Sequence, residues 1–344
     1  MSENINDLFK DIRITPENCN QTETVIINVN SSPIATLGNI SASVGKAKSG
    51  KTFNVSALVS SVLSNSTILK YSANMPETKK RIIYVDTEQS KYHCHKVLNR
   101  IINLSKVNNL IVEDNLYYVS VREYTPNLRV KIIEEILDSI SNIGLVIIDG
   151  CRDLLYDFNC PTESSNLINL LMKWASKHNI HIHVVLHQNK NDDNTRGHLG
   201  TELNNKAETI LQISKKQNDT VQYLVRPLFT RDIEFAAFSY IITKDGLPNL
   251  IEYSEDHTIN RRKFKLDNIT EEQHQQALVN AFEEPTIQGY NNLITKLKQG
   301  YAKIGLDLGD NKIKILCNFL KKNNYIVLKQ NKYYVVNKIN KKHE

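Results

Sequence analysis

Three things are scarce in this 344-residue chain: glycine, with 12 residues, cysteine, with 5, and long apolar runs. No uninterrupted apolar stretch approaches the roughly 20 residues of a membrane span. The opening "MSENINDLFKDIR" lacks the basic start and apolar core of a secretory signal. The expectation is a soluble, cytoplasmic chain with no membrane partner. The cysteines Cys19, Cys94, Cys151, Cys160 and Cys317 are odd in number and include no CxxC pair. That argues against a disulfide framework and a zinc ribbon. In "YHCHK", His93, Cys94 and His95 are adjacent helical positions that point different ways, too few to converge on a metal. Arginine is absent from the last 59 residues, which carry 12 lysines against 3 acids, a surplus of nine positive charges. Since the whole chain is +6, the remainder carries about −3. A basic tail on a near-neutral body points to a polyanionic partner, or to a solvated lysine-rich surface.

Against that glycine scarcity, "GKAKSGKT" places Gly45 and Gly50 within eight residues, with three lysines among them. The match to G-x-x-x-x-G-K-[ST] lies between the strand "SASV" and the helical pattern "TFNVSALVSSVL", which is the context the motif requires. The glycines let the backbone bend where side chains would clash. Backbone N–H groups from about Lys48 through Ser49, Gly50 and Lys51 to Thr52 then face a phosphate chain, with Phe53 next in line. ATP is the expected ligand. Lys51 is expected to reach its β- and γ-phosphates, and the Thr52 hydroxyl to hold Mg²⁺. Asp149 ends the apolar run "LVIID", where a carboxylate can hold Mg²⁺ through water. Glu88 in "IIYVDTEQS" follows another buried strand. It is placed to orient or deprotonate the attacking water, or else to cap a helix. Gln188 ends "VVLHQ", where its amide can sense the γ-phosphate. His181, His183 and His187 share strand parity and are expected to be packing residues with hydrogen bonds.

From residue 32 to 253 strands and helices alternate. "RIIYVD", "LYYVSV", "GLVIID" and "IHIHVVLH" read as strands. "QSKYHCHKVLNRIINL", "PNLRVKIIEEILDSI" and "SSNLINLLMKWASKH" read as helices. The segment "NKNDDNTRGHLGTELNNK" reads as a polar loop, and "ETILQI", "VQYLVRPLF" and "FSYIIT" as late strands. This order predicts an α/β fold: a mostly parallel sheet flanked by helices, closed by an antiparallel run. Residues 1–31 read as a polar lead-in with a short strand at "TVIINV", and 254–285 as a linker with one helix. Residues 286–344 read as helix, turn, helix and hairpin, the order of a winged helix. Its second helix, 311–323, presents Lys312, Lys314, Lys321 and Lys322, with Ile313, Leu316, Phe319 and Leu320 toward the core. Lys329 and Lys332 flank the hairpin turn. Contact with DNA backbone is expected from these lysines, the alternative being a protein-docking module or an oligomer clamp.

In order, "GKAKSGKT", "VDTE", "LVIIDG" and "LHQN" resemble the RecA-type ATPase core. "IATLGNISASVGKAKSGKTF", "TRGHLGTELNNKAETIL" and "FTRDIEFAAFSYIITKDGLP" are similar to the RepA-like hexameric helicase branch of mobile elements. The resemblance implies a RecA-like fold over roughly residues 32–250, Glu88 as catalytic base and Gln188 as the coupling amide. It also implies ATP shared between copies in a ring or filament. A neighbouring copy would supply an arginine, Arg231 in preference to Arg226. Single-stranded DNA would pass the loops after Asp149 and Gln188, near Arg152, Lys190, Arg196 and His198. The chain departs from the family in lacking a primase-binding N-terminal domain of the DnaB kind and in carrying the basic C-terminal unit.

Overall fold

The computed structural model describes residues 13–15, 23–189, 195, 197–217, 220–252, 269–306 and 308–336. Most of the lead-in, residues 254–268 of the expected linker, Lys190 and Arg196 lie outside the described residues. The chain divides into two compact units, Met1–Tyr253 and Ser254–Glu344.

The first unit opens with β1 (Val25–Val29), β2 (Ser32–Thr36) and β3 (Ile40–Gly45), followed by α1 (Lys51–Ser64). Next come β4 (Thr67–Ile68), β5 (Tyr71–Ala73), β6 (Arg81–Asp86), α2 (Lys91–Ser105), α3 (Asn109–Asn115) and β7 (Leu116–Ser120). They lead into α4 (Pro126–Ser139), β8 (Ile143–Asp149), α5 (Pro161–His178), β9 (His181–His187) and α6 (Gly197–Lys206). The unit closes with β10 (Thr209–Gln217), β11 (Val221–Thr230), β12 (Phe238–Ile242) and β13 (Pro248–Ile251). Nine strands form one sheet in the order β13-β12-β11-β10-β3-β9-β8-β6-β7. From β10 to β7 the neighbours are parallel, and β11 to β13 close the sheet antiparallel. This is an α/β plan, a mostly parallel sheet with helices on both faces.

Apolar strand runs are buried on both sides because each face has its own cover. Leu145 and Ile147 of β8 face a core that takes in α1 and α2. Val146 and Ile148, one residue out of phase, face a core built with α4, α5 and α6. The register aligns the carboxyl ends of four strands: Gly45 lies opposite His187, and Asp86 opposite Asp149. The functional side chains are therefore gathered at one edge of the sheet.

Two features differ from the sequence expectation. The stretch 197–206, expected as loop, is helical: Leu199 and Leu203, one turn apart, are fully buried. A second sheet, β2-β1-β5-β4, joins the cover over α1, so this helix is buried nearly all round. Its serines survive burial by bonding back to helix carbonyls: Ser56 Oγ to Thr52 O at 2.7 Å and Ser60 Oγ to Ser56 O at 2.6 Å.

Along β3 and β9 the paired histidines form a buried polar chain. His181 Nδ1 bonds Thr36 O (2.8 Å), and Ser41 Oγ lies 2.6 Å from His181 Nε2 and 2.7 Å from His183 Nδ1. His183 Nε2 reaches Ser43 Oγ at 2.8 Å. Burial pushes His181 down to about 4 and His183 to about 3. The folded state thus refuses protons that the unfolded chain accepts below about pH 6.5. Their stabilisation is complete above that pH and is lost as pH falls toward 4 and then 3. Each histidine contributes a slope of up to about 1.4 kcal/mol per pH unit in that window. Glu208, bonded to Thr36 N (2.8 Å), is raised by burial to about 7 and opposes them between about pH 4.5 and 7. Asp149, raised by burial to about 7, opposes them as Glu208 does. With two histidines against two carboxyls, urea midpoints are expected to be nearly flat from about pH 6.5 to 4.5, and His183→Gln is expected to make them rise as pH falls across that window.

The second unit runs α7 (Glu271–Ala281), β14 (Ile287–Gln288), α8 (Tyr290–Lys303), α9 (Asp310–Lys322), β15 (Ile326–Lys329) and β16 (Lys332–Val335). Its sheet order is β14-β16-β15. α7, placed with the linker from sequence, packs Ala277, Leu278 and Ala281 into the same core as Leu293, Leu297, Ile313, Leu316 and Leu320. It starts on a capping box in which Thr270 and Gln273 bond each other's backbone N–H. Gln330 (φ 45°) and Asn331 (φ 63°) make the tight left-handed turn between β15 and β16.

Candidate functional site

The loop between β3 and α1 is held from beneath by its own lysine. Lys51 Nζ donates to Gly45 O at 2.9 Å and to Lys46 O at 3.0 Å, and lies 3.1 Å from His187 Nδ1. Burial lowers the Lys51 ammonium to about 8, against the opposing pull of Asp149 and Glu88. Gly50 has φ +89°, and a Cβ there would sit 2.4 Å from the Tyr223 ring. Its carbonyl accepts from Tyr240 OH at 2.9 Å, and Tyr223 stacks on Tyr240 at 5.2 Å. At Gly45 a Cβ would come within 2.3 Å of Ile213 O. Gly45 is therefore required by close packing, and Gly50 by close packing and by its positive φ. Ser49 is buried, and its Oγ has no hydrogen-bond partner within the protein. An orphan hydroxyl inside a loop rich in lysine suits an anionic ligand. The helix start at Lys51 adds backbone donors that have no intrahelical partner.

Facing the loop are three groups from neighbouring strand ends. Asp149 is buried and accepts from Tyr84 OH at 2.9 Å, while Thr52 Oγ1 lies 3.5 Å from the same carboxylate oxygen. Burial, then the nearby Asp86, push Asp149 up to about 7. A divalent cation placed there would relieve that cost. Glu88 lies 3.7 Å from His187 Nε2 through Oε1. The nearby His187 ring lowers its pKa, with further help from Lys51 and Arg152, against the opposing effect of burial. His187 thus stands between the loop lysine and the carboxylate.

The Glu88 segment is braced. Asp86 accepts from Glu88 N (3.1 Å), Gln89 N (2.8 Å), Gln89 Nε2 (2.9 Å) and Tyr118 OH (2.9 Å). The Thr87 hydroxyl accepts from Gly150 N at 2.9 Å and donates to Asp153 at 2.9 Å. A Cβ at Gly150 would stand 2.5 Å from Glu88 Oε1, so this glycine leaves room for the carboxylate. The resulting cleft is about 450 Å³, with Lys215 and Tyr223 closing the side opposite Glu88 and Asp149. That volume suits a small-molecule ligand.

Residues 30–193 match the family described as the AAA domain. No curated protein matches the chain. Among solved structures, the crystal structure of the RadB recombinase is 18% identical. It covers 62% of this chain and 91% of its own, with a TM-score of 0.44. The domain match supports a P-loop ATPase, and with it an ATP hydrolase. Among the described residues, no helix is long and apolar enough to cross a membrane.

Of the residues expected from sequence, the fold brings Lys48, Ser49, Gly50, Lys51, Thr52, Phe53, Glu88 and Asp149 to one cleft. Gly45 forms the floor through its contact with Lys51. Gln188 is buried one residue beyond His187 and does not line the cleft; its backbone N–H donates to Gly45 O at 3.1 Å. His187 takes the position facing the ligand. Sequence parity grouped it with His181 and His183, and only its place at the strand's end distinguishes it. Lys215 and Tyr223 were also missed, because they come from strands far away in sequence.

Neither Arg226 nor Arg231 lines the cleft of its own chain. Arg226 bonds the Gln212 carboxamide. Arg231 sits where β11 ends beside Glu208, with its N–H on Glu208 O at 2.8 Å and Nη2 on Lys206 O at 3.0 Å. This is the amino edge of the sheet, opposite the loop, since Thr230 pairs with Thr209 and Thr209 with Ser41. Arg152 lies after β8 with its guanidinium 4.1 Å from the Phe158 ring centroid. His198 is in the first turn of α6. In the second unit Lys312, Lys314, Lys322, Lys329 and Lys332 are exposed. Lys321 is half-buried, 5.0 Å from the Tyr290 ring centroid and 4.8 Å from that of Tyr333.

Proposed function

We propose that this chain is an ATP-driven motor acting on nucleic acid, of the RepA-like helicase kind or a related replication ATPase of a mobile element. The observation that carries the proposal is the convergence of Lys51, Thr52, Asp149, Glu88 and His187 on one cleft at the sheet's carboxyl edge. ATP would lie with its phosphates over Gly50–Thr52. Thr52 and Asp149 would hold Mg²⁺, which supplies charge neutralisation on the β- and γ-phosphates. Glu88, kept ionised beside His187, would orient the attacking water and take its proton. His187 would feel the γ-phosphate and its loss directly. Gln188, one residue on, would pass that change to the segment that follows.

A neighbouring copy would complete the site with Arg231, which is preferred because it lies at the edge of the sheet opposite the loop, whereas Arg226 is level with Val44 at the loop's own end. Such a shared site requires head-to-tail contact, in a ring or filament. For the second unit, the order helix, strand, helix, helix, strand, strand and the sheet β14-β16-β15 favour a winged helix. Its exposed lysines on α9 and the hairpin would bind DNA backbone with little base selection.

Electron microscopy of the full chain with a non-hydrolysable ATP analogue and a single-stranded oligonucleotide tests the assembly. Closed rings support the helicase reading; open filaments point instead to a RecA-like nucleotide-gated assembly. If purified protein hydrolyses no ATP, with or without DNA, the motor reading fails. A finer test concerns Tyr84, whose hydroxyl fixes one Asp149 oxygen. Tyr84→Phe keeps the ring and frees that oxygen. The Mg²⁺ concentration for half-maximal hydrolysis is expected to rise roughly tenfold, with little change in ATP affinity at saturating Mg²⁺.

A further inference from the structure

A second concavity of about 630 Å³ lies at the same edge of the sheet, past the ends of β6 and β7. Its walls carry Tyr92 and Tyr124, whose residues are 65% and 46% exposed, together with Lys91, Arg122 and Glu123. Lys96 Nζ stands 4.6 Å from the Tyr92 ring centroid, adding a third cation at the rim. A single exposed tyrosine on a soluble protein needs no explanation. Two in one groove, interleaved with a guanidinium and ammonium groups, have the composition of a surface on which bases stack while phosphates are neutralised alongside.

The acid matters to the choice of ligand. Glu123 on the same wall disfavours the dense phosphate rows of a duplex. It is tolerated by a single strand, whose charges are more widely spaced and whose bases can face the protein. The groove also begins one residue from the cleft. Gln89, on its wall, is held through N and Nε2 by Asp86, the same carboxylate that accepts from Glu88 N.

We propose that this groove is a binding site for single-stranded nucleic acid. Bases stack on Tyr92 and Tyr124, Arg122 and Lys91 meet the phosphates, and occupancy is relayed through Gln89 and Asp86 to Glu88. The site is separate from the segments after β8 and β9, and it rests on the reading of the chain as a nucleic-acid-dependent ATPase.

The test is fluorescence anisotropy of labelled oligo-dT with the full chain and a non-hydrolysable ATP analogue, across a salt series. Tyr92→Ala and Tyr124→Ala are each expected to weaken binding about tenfold with the salt slope unchanged. Tyr92→Phe and Tyr124→Phe, which keep the rings, are expected to bind as the parent does. Arg122→Ala is expected to reduce the slope of log K against log salt by about 0.7. Glu123→Gln is expected to tighten binding. In the double tyrosine-to-alanine variant, the ratio of hydrolysis with and without oligo-dT is expected to fall toward one. If the parent binds oligo-dT and the folded double variant binds it equally well, the groove proposal is overturned while the ATPase reading stands. If the parent neither binds oligo-dT nor responds to it, the reading itself fails and the proposal with it. A double variant with unchanged DNA binding but altered particle size in sedimentation would assign the groove to a neighbouring copy, which also overturns the proposal.

Discussion

Glu88→Gln is expected to leave ATP bound and unhydrolysed. The substitution keeps the shape of the side chain and an oxygen for the contact with His187. What it removes is the charge, and with it the capacity to accept a proton. Glu88 is ionised for that task because His187, 3.7 Å away, with Lys51 and Arg152 nearby, lowers its pKa. General-base contributions of this kind are worth about 10²–10⁴ in rate. Single-turnover hydrolysis is therefore expected to drop by that factor, while the affinity for a fluorescent ATP analogue changes only a few-fold. Retention of more than a tenth of the parent rate would return Glu88 to the role of a loop or helix-capping acid. It would also require another group to activate the water.

Lys51→Ala is expected to have the larger overall effect, because binding and chemistry both suffer. Lys51 is the cation at the centre of the loop, and it also closes the loop on Gly45 and Lys46. Its loss removes charge stabilisation worth about 10²–10³ in hydrolysis and frees two carbonyls that now sit under the ligand. Lys51→Arg is not expected to rescue, since a planar fork cannot occupy the place of a compact ammonium. The parent should carry a matching pH signature. With the ammonium lowered to about 8 by burial, it is charged below that pH and neutral above it. Polyphosphate affinity is therefore expected to be flat below about pH 7 and to fall with increasing pH above 8. Calorimetry across that range in buffers of different ionisation enthalpy would detect proton uptake near pH 8 in the parent and none in Lys51→Ala.

The parts legible in sequence were those fixed by local rules. Gly45 and Gly50 stand out because few residues tolerate their surroundings, and Asp149 because it ends an apolar run. The remainder depended on contacts between distant segments. Of the small sheet β2-β1-β5-β4 only β1, in "TVIINV", was legible; the other strands, of two to five residues, are too short for a periodic signal. Only Leu199 and Leu203 mark α6 as helical. α7 looked like linker because its reason to fold lies elsewhere, in Leu293 and in Tyr301, whose hydroxyl is 2.6 Å from His274 Nδ1. His187 was hidden by period-two alternation, which says which face of the strand a residue occupies and nothing about whether that face is covered at that point.

The grip of Tyr240 and Tyr223 on Gly50 has a mechanical consequence. β11 and β12 are not a passive margin of the sheet: they are fastened to the hinge of the nucleotide loop. β11 carries Arg226 and leads straight into Arg231. A tilt of the loop on gain or loss of a phosphate would be levered along β11 toward the far rim. In the proposed head-to-tail assembly, each subunit's own fuel state would then set the posture of Arg231, the residue proposed to complete its neighbour's site.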